Sequence, residues 1–328
     1  MYQGKKKLLL SLSFVLIILV LTGGGVVPAQ AQEKYPTKAI DIIVPVPAGG
    51  GSDLSARITA DFLKKRWGVP INVINKPGGG SVIGTLDLYK ARPDGYTVMF
   101  DSFTSQCVLE IAMKDLPFKV LDKTFIAVTT SAPMVFYVPS TSPMKSLKDV
   151  EAEAKRDPGN FTWSSLGGVS LNDFSVRQFF KAIGVDVSKT KPVSVSGGSE
   201  VLTLIAGGHI KFGVAGSAPG YSHVKAGTVR VVGVSGYRVP DYPDVPTAVE
   251  QGYPGVTLVN YNGFAGPPKL PASIVAQWDQ ALREAEKDQT SVTKLKGIGV
   301  EPYHLNSRET KEYVEKGREE AARLWGVK

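Results

Sequence analysis

The chain reads as an α/β protein of two Rossmann-like lobes joined by two crossover strands. Three observations predict this. A strand, a glycine-rich loop and a helix follow one another at residues 40–63 and again at 161–183; the second region is inserted between two parts of the first; and 328 residues with 43% hydrophobic content can bury one large core or two medium ones. The same composition, with a single cysteine, excludes a disordered chain and a disulfide-stapled mini-fold.

Ile40 to Val46 is an apolar, β-branched run that stops at Pro47-Ala48-Gly49-Gly50-Gly51. Ser52 and Asp53 then cap a helix in which Leu54, Ile58, Phe62 and Leu63 recur at helical spacing. A strand at 71–74, the turn Lys76-Pro77-Gly78-Gly79-Gly80, a helix over 81–91, the turn Arg92-Pro93-Asp94-Gly95 and a strand at 96–101 follow. Strands alternating with helices imply a parallel sheet.

The second region opens with the apolar stretch 134–138. Ser146 and Asp149 form a variant capping signal for a helix buried through Leu147, Val150 and Ala154. A strand at 161–165 leads into Gly167-Gly168-Val169-Ser170 and a helix marked by Phe174, Phe179, Phe180 and Ile183. Strands at 193–195, 212–215 and 229–235 are expected, with Ser196 to Glu200 opening a helix over 201–206. The segment 256–264 is again strand-like, Pro271 opens an amphipathic helix, and 308–325 is a last one. This order gives lobes of 36–137 plus 260–328, and 138–259, with the segments near 134–140 and 256–264 as the connections and hinge.

Lys5, Lys6 and Lys7 precede a mostly apolar stretch, Leu8 to Leu21, which ends before Pro28-Ala29-Gln30-Ala31. Residues 1–31 read as a secretory signal cleaved near Ala31, because the stretch is shorter than the roughly 18 residues of a membrane span. Gly24 stands where a lipoprotein would carry its acylated cysteine, so a periplasmic monomer without a lipid anchor is expected. The net charge of +8 falls to +5 without the three lysines, and no basic run is interleaved with aromatics, so nucleic acid is not an expected partner. Cys107 stands alone and reads as a small buried hydrophobe, and His209, His223 and His304 are far apart. No metal and no cofactor are expected. Phosphate-loop, dinucleotide and nucleophile-elbow patterns are missing.

The chemistry lies in the glycine loops. A glycine loop at a helix N-terminus presents unpaired N–H groups and the positive end of the helix dipole, and so binds anions. Pro45 to Arg57, Gly167 to Leu171 and Ser196 to Glu200 are three such places. The bland alternative is that each loop only caps its own helix. Two loops from separate lobes facing one cleft would instead supply donors to a carboxylate from both sides. Phe103, Phe174 and Tyr261 lie beside these loops or at the crossover, as pocket or core aromatics.

Several motifs in order resemble the Bug or TctC solute-binding proteins of tripartite tricarboxylate transporters. They are Tyr35-Pro36-Thr37-Lys38-Ala39-Ile40, Pro45 to Asp53 with Ala56-Arg57, Asn75 to Gly80, Arg92 to Thr97, His223 to Gly227 and Tyr242 to Thr247. The resemblance runs from about Tyr35 to the C-terminus. It implies a two-lobed periplasmic binding protein of the Venus-flytrap kind that closes on a carboxylate held between the Ala48 to Asp53 and Gly168 to Leu171 loops. The candidate ligand set, taken from the three loops, the adjacent aromatics and the resemblance together, is Pro47, Ala48, Gly49, Gly50, Ser52 and Asp53; Ser165, Gly168, Val169, Ser170 and Leu171; Gly197 and Ser199; and Phe103, Gly216 and Tyr261. The second loop departs from the family pattern G-x-G-S-x-x-H-L, with Ser170, Leu171 and Phe174 in place of its second glycine, serine and histidine. Ala215-Gly216-Ser217 lacks the acidic residue many relatives carry after the strand, which points to a simple organic acid over an amino acid.

The function implied is capture of a small organic carboxylate, a di- or tricarboxylate or an aromatic acid, in the interlobe cleft, with delivery to the membrane subunits of the transporter. One alternative is a sensor component that presents its ligand to a receptor. Another is a secreted hydrolase using Ser52, Ser170 or Ser199, against which the absence of a triad context for any histidine counts.

Overall fold

The computed structural model describes residues 35–325 apart from Lys114 and Val169, so the secretory signal expected at 1–31 lies outside the described residues. The chain begins with β1 (Ile40–Val44), α1 (Gly51–Trp67), β2 (Ile71–Asn75), α2 (Val82–Lys90) and β3 (Thr97–Asp101). A π-helical turn, Thr104–Val108, runs into α3 (Leu109–Ala112), and the long strand β4 (Thr124–Pro133) follows. The second region holds β5 (Val135–Pro139), α4 (Leu147–Arg156), β6 (Thr162–Ser165), α5 (Leu171–Ala182), β7 (Lys191–Ser194), α6 (Gly198–Ala206), β8 (Gly213–Ala215), α7 (Ser217–Lys225) and β9 (Val229–Val234). The chain returns through β10 (Val259–Gly266) and ends with α8 (Ala272–Ala285), α9 (Gln289–Lys296), β11 (Glu301–Leu305) and α10 (Ser307–Trp325). No helix among the described residues is long and apolar enough to cross a membrane.

The first lobe's sheet has the order β11-β4-β10-β3-β1-β2. Pairing is parallel among β1, β2 and β3, but β10 runs antiparallel to β3 and β4, and β11 antiparallel to β4. The parallel sheet expected from the sequence is therefore mixed. Its reason is topological: β4 leaves for the second lobe and β10 comes back, so they lie side by side in opposite directions without a helical crossover.

In the second lobe β5 pairs antiparallel with β8 and β9, and β6 pairs parallel with β7. Trp163 of β6 bridges to Phe212, just ahead of β8, and the Ser164 N–H donates to the Phe212 carbonyl at 3.1 Å. The resulting order, β7-β6-β8-β5-β9, repeats the first lobe's β2-β1-β3-β10-β4. The turns after β1 and β6 are thus counterparts.

The crossing from β4 to β5 takes place at Met134. Ser235, just past β9, clasps it: its N–H donates to the Met134 carbonyl (2.8 Å) and its hydroxyl oxygen accepts from the Met134 N–H (2.9 Å). The same hydroxyl donates to the carbonyl of Leu258, next to β10, so both connections meet at one serine. On the other side α10 packs against both lobes, with Val314 and Ala321 in the same apolar cluster as Phe103, Cys107, Phe174 and Phe179. Cys107 is fully buried there, where burial raises its thiol pKa and keeps it protonated.

Candidate functional site

The turn after β1 is shaped by two features. Gly49 takes φ +88°, a left-handed conformation that favours glycine, and Gly50 is the extended N-cap of α1 without a side-chain cap. The third helical residue, Asp53, reaches back beneath the loop. It is 1% exposed, and its carboxylate accepts from the Gly49 N–H (2.8 Å), the Arg57 Nε–H (3.1 Å) and Asn75 Nδ2 (2.9 Å). Burial pushes its pKa up, but these hydrogen bonds and the Arg57 charge outweigh burial and hold it below the ordinary aspartate value. Asp53 is a brace under the loop, and the open N–H groups of α1 remain above it.

The turn after β6 has the same plan. Asp173, again the third residue of its helix, accepts from the hydroxyls of Ser165 and Ser170 and from the Leu166 N–H. Here, though, the N-cap Ser170 oxygen accepts from the Asp173 N–H at 3.1 Å, so one donor of α5 is already engaged.

Between these turns lies a cleft of about 480 Å³. Four helix N-termini reach its wall: Gly50 and Gly51 of α1, Ser170 and Leu171 of α5, Gly198 and Ser199 of α6, and Gly216 and Ser217 of α7. Those of α1, α6 and α7 have no side-chain cap. Among the described residues the wall contains no Asp, Glu, Lys, Arg or His side chain; it is made of backbone, hydroxyls, the amides of Asn172, Asn260 and Asn262, and apolar groups such as Leu54, Met134, Leu166 and Ile298. Such a surface offers hydrogen-bond donors and positive helix ends without a counter-charge, which suits a small anion with an apolar body.

One wall rests on a buried ion pair. Lys123 Nζ lies 2.5 Å from Asp101 Oδ2, both fully buried, and also donates to the Ser105 carbonyl at 3.1 Å. Asp101 accepts the Ser102 N–H and the Ser105 hydroxyl, which fixes the start of the π-helical turn where Ser102 and Thr104 face the cleft.

Of the residues singled out in the sequence, Gly49, Gly50, Ser52, Ser170, Leu171, Ser199 and Gly216 line the cleft. Pro47, Ala48, Gly168 and Gly197 flank it without lining it, Asp53 and Ser165 serve the braces, and Val169 lies outside the described residues. Phe103 turns into the core, edge-on to Phe174 at 5.2 Å between ring centroids. Tyr261 packs on Tyr303 and Tyr313, and burial pushes its pKa up to about 12. Strand alternation explains this last placement: Asn260 and Asn262, one residue to either side, face the cleft, so Tyr261 points the other way. Neither asparagine was singled out from the sequence, although a period of two along a strand was the available signal.

Among the described residues the serines have no histidine beside them in the cleft wall. His304 sits between Glu286 (2.8 Å) and Asp279 (3.0 Å), and His223 faces Thr228. Among the described residues no three His, Cys, Asp or Glu side chains come together as a metal site.

Residues 55–325 match the profile of the tripartite tricarboxylate transporter family receptor, TctC. Protein BugT of Bordetella pertussis is 26% identical over 305 residues, 92% of each chain. A solved structure described as a periplasmic transporter is 26% identical and superposes with a TM-score of 0.80 over 89% of this chain and 97% of its own. MatC of Rhodopseudomonas palustris, solved with bound malate, shares the fold at 22% identity, with a TM-score of 0.78 over 89% of this chain and 100% of its own. With the profile spanning most of its length and the two-lobed architecture in agreement, the chain belongs to the tripartite tricarboxylate transporter receptor family.

Proposed function

We propose that the protein captures a small organic carboxylate in the cleft between the two lobes, which meet at the Met134 crossing and at β10, in the periplasm, and delivers it to the membrane subunits of a tripartite tricarboxylate-type transporter. As a member of a receptor family it binds a solute and carries out no reaction. The observation that carries the ligand class is the convergence of four helix N-termini, three without side-chain caps, on a cleft with no charged side chain among the described residues. Relatives of the same fold were solved with malate and with adipate, which agrees with an acid ligand. Among the described residues no carboxylate faces into the cleft to pair with an ammonium, which favours a simple acid over an amino acid.

Hydrogen bonds to a charged group contribute about 1.5 to 3 kcal/mol each. A few converging N–H groups therefore reach micromolar affinity, about −8 kcal/mol. A thermal-shift screen of malate, succinate, adipate, citrate, benzoate and nicotinate tests the proposal, since a ligand at about 100 times its Kd adds roughly 2.7 kcal/mol of stability. At least one acid stabilises the protein, and calorimetry in rising salt shows only a modest loss of affinity. Stabilisation by none of them overturns the reading.

A further inference from the structure

Asn262 lines the cleft and is 2% exposed. Its Oδ1 accepts a hydrogen bond from the Ser52 hydroxyl at 3.2 Å, and among the described residues this is the one hydrogen bond its side chain makes. Nδ2 is left with two N–H donors that no protein group uses. These donors open on the cleft, where water meets them, so a ligand carboxylate that accepts from them replaces a hydrogen bond to water with a charge-assisted one, worth about 1.5 to 3 kcal/mol. The backbone holds the amide in place. The β10–β4 register shifts between Asn262 and Gly263, and a Cβ on Gly263 would lie 2.0 Å from the Ala127 carbonyl oxygen, so the β4 backbone packs directly on Gly263 beside the amide.

Ser52 is the second residue of α1, which sets the Asn262 amide against the helix end whose N–H groups are uncapped. We propose that Asn262 is the side chain that recognises the ligand carboxylate: Nδ2 donates to one oxygen, the α1 N-terminal N–H groups hold the other, and Ser52 orients the amide through Oδ1. The inference deepens the receptor reading and rests on it. It also sets a specificity. The groups set against the carboxylate, Asn262 Nδ2 and the α1 N–H groups, are all donors, so they accept a carboxylate, whereas a primary carboxamide turns its own N–H group against one of them.

The test is calorimetric titration of the wild type, Asn262→Asp, Asn262→Leu and Ser52→Ala with matched acids and primary amides: benzoate and benzamide, nicotinate and nicotinamide, succinate and succinamide, adipate and adipamide. The wild type prefers an acid to its amide by about tenfold or more. Asn262→Asp, with an acceptor and a negative charge in the same shape, loses acid affinity by about 100-fold and narrows or inverts the acid-to-amide ratio. Asn262→Leu weakens acid binding without inverting the ratio, and Ser52→Ala weakens it less. A folded Asn262→Asp protein with wild-type acid affinity, or one that loses acids and amides in equal measure, overturns the inference. Should Asn262→Asp not fold, wild-type affinity in Asn262→Leu and Ser52→Ala overturns it, and loss in both supports it. A wild type that binds none of the acids overturns the receptor reading and this inference together, whereas unchanged variants of an acid-binding wild type overturn this inference alone.

Discussion

The turns after β1 and β6 are counterparts built by one device and finished differently. In each, an aspartate at the third helical position reaches back to brace the loop, Asp53 to Gly49 and Asp173 to Leu166. The first helix starts on Gly50 and leaves its N–H groups open, while the second starts on Ser170 and uses its hydroxyl as a cap. Asp53 is neutralised by Arg57, whereas Asp173 rests on hydroxyl and N–H donors. The difference separates two jobs a helix end can do: α1 presents its donors to the cleft, and α5 closes part of its own end for stability.

The largest effect that tests this division comes from valine at one glycine of each loop. At Gly50 a Cβ meets no protein atom within 4 Å and φ is −79°, so valine fits the backbone and its side chain reaches toward the cleft Gly50 lines. Gly50→Val loses binding by about 100-fold or more, while the poorer N-cap costs only about 1 kcal/mol. Gly168 has φ +81° and does not line the cleft. Valine there costs roughly 1 to 3 kcal/mol of stability through backbone strain and changes affinity little in the protein that folds. Titration of both variants beside their melting curves separates the two; equal affinity loss at both positions breaks the comparison.

The braces give the next effect. Asp53→Asn removes the charge that receives Arg57 and the Gly49 N–H, and with Arg57 half-exposed the expected loss is about 2 kcal/mol. Because the folded pKa of Asp53 is lowered, its contribution is present above the unfolded value of about 3.9 and is lost as pH falls through the lower folded value. The stability gap between wild type and Asp53→Asn therefore holds near pH 6 and shrinks below about pH 4. A gap that stays constant down to pH 2 shows that Asp53 acts by shape alone.

The elements legible in the sequence were those with a strong local signal. Glycine loops, capping residues and helical apolar stripes located α1, α4, α5 and α8, with Ser146 and Asp149 forming the capping box. What escaped was set by tertiary pairing. The strand β4 carries Thr129, Thr130 and Ser131 buried in mid-run, which reads as polar until β10 and β11 cover it on both edges. Strand β11 is short and half-exposed, and α7 contains Pro219 and Gly220, so neither shows a period. The cleft divided in the same way: its loops were readable, but Asn260 and Asn262 depended on which face of β10 the second lobe would cover. Ile298 and Gly299 reach the cleft wall only because β11 is brought to the sheet edge beside α7, where Gly299 approaches Ser217.

The smallest effect sharpens the comparison most, because it exchanges the two finishes. Gly50→Ser installs at α1 the cap that α5 already has, and Ser170→Gly removes it there. Glycine is itself a fair N-cap, so Gly50→Ser raises stability by only a few tenths of a kcal/mol, whereas Ser170→Gly also takes a hydroxyl donor from the buried Asp173 carboxylate and lowers it by about 1.5 kcal/mol. Affinity carries the information. A serine at Gly50 accepts from an N–H of the first turn and competes with the ligand for it, so affinity falls by about tenfold, or roughly 1.4 kcal/mol. Ser170→Gly frees the Asp173 N–H that the Ser170 oxygen now holds, and affinity stays within about threefold of wild type or rises, since the other donors are untouched. Isothermal titration of both variants with the tightest acid of the screen reads the two shifts. Opposite or equal responses, with Ser170→Gly losing as much as Gly50→Ser, would mean that the capped helix end is the principal anchor and that the roles of the two turns are reversed.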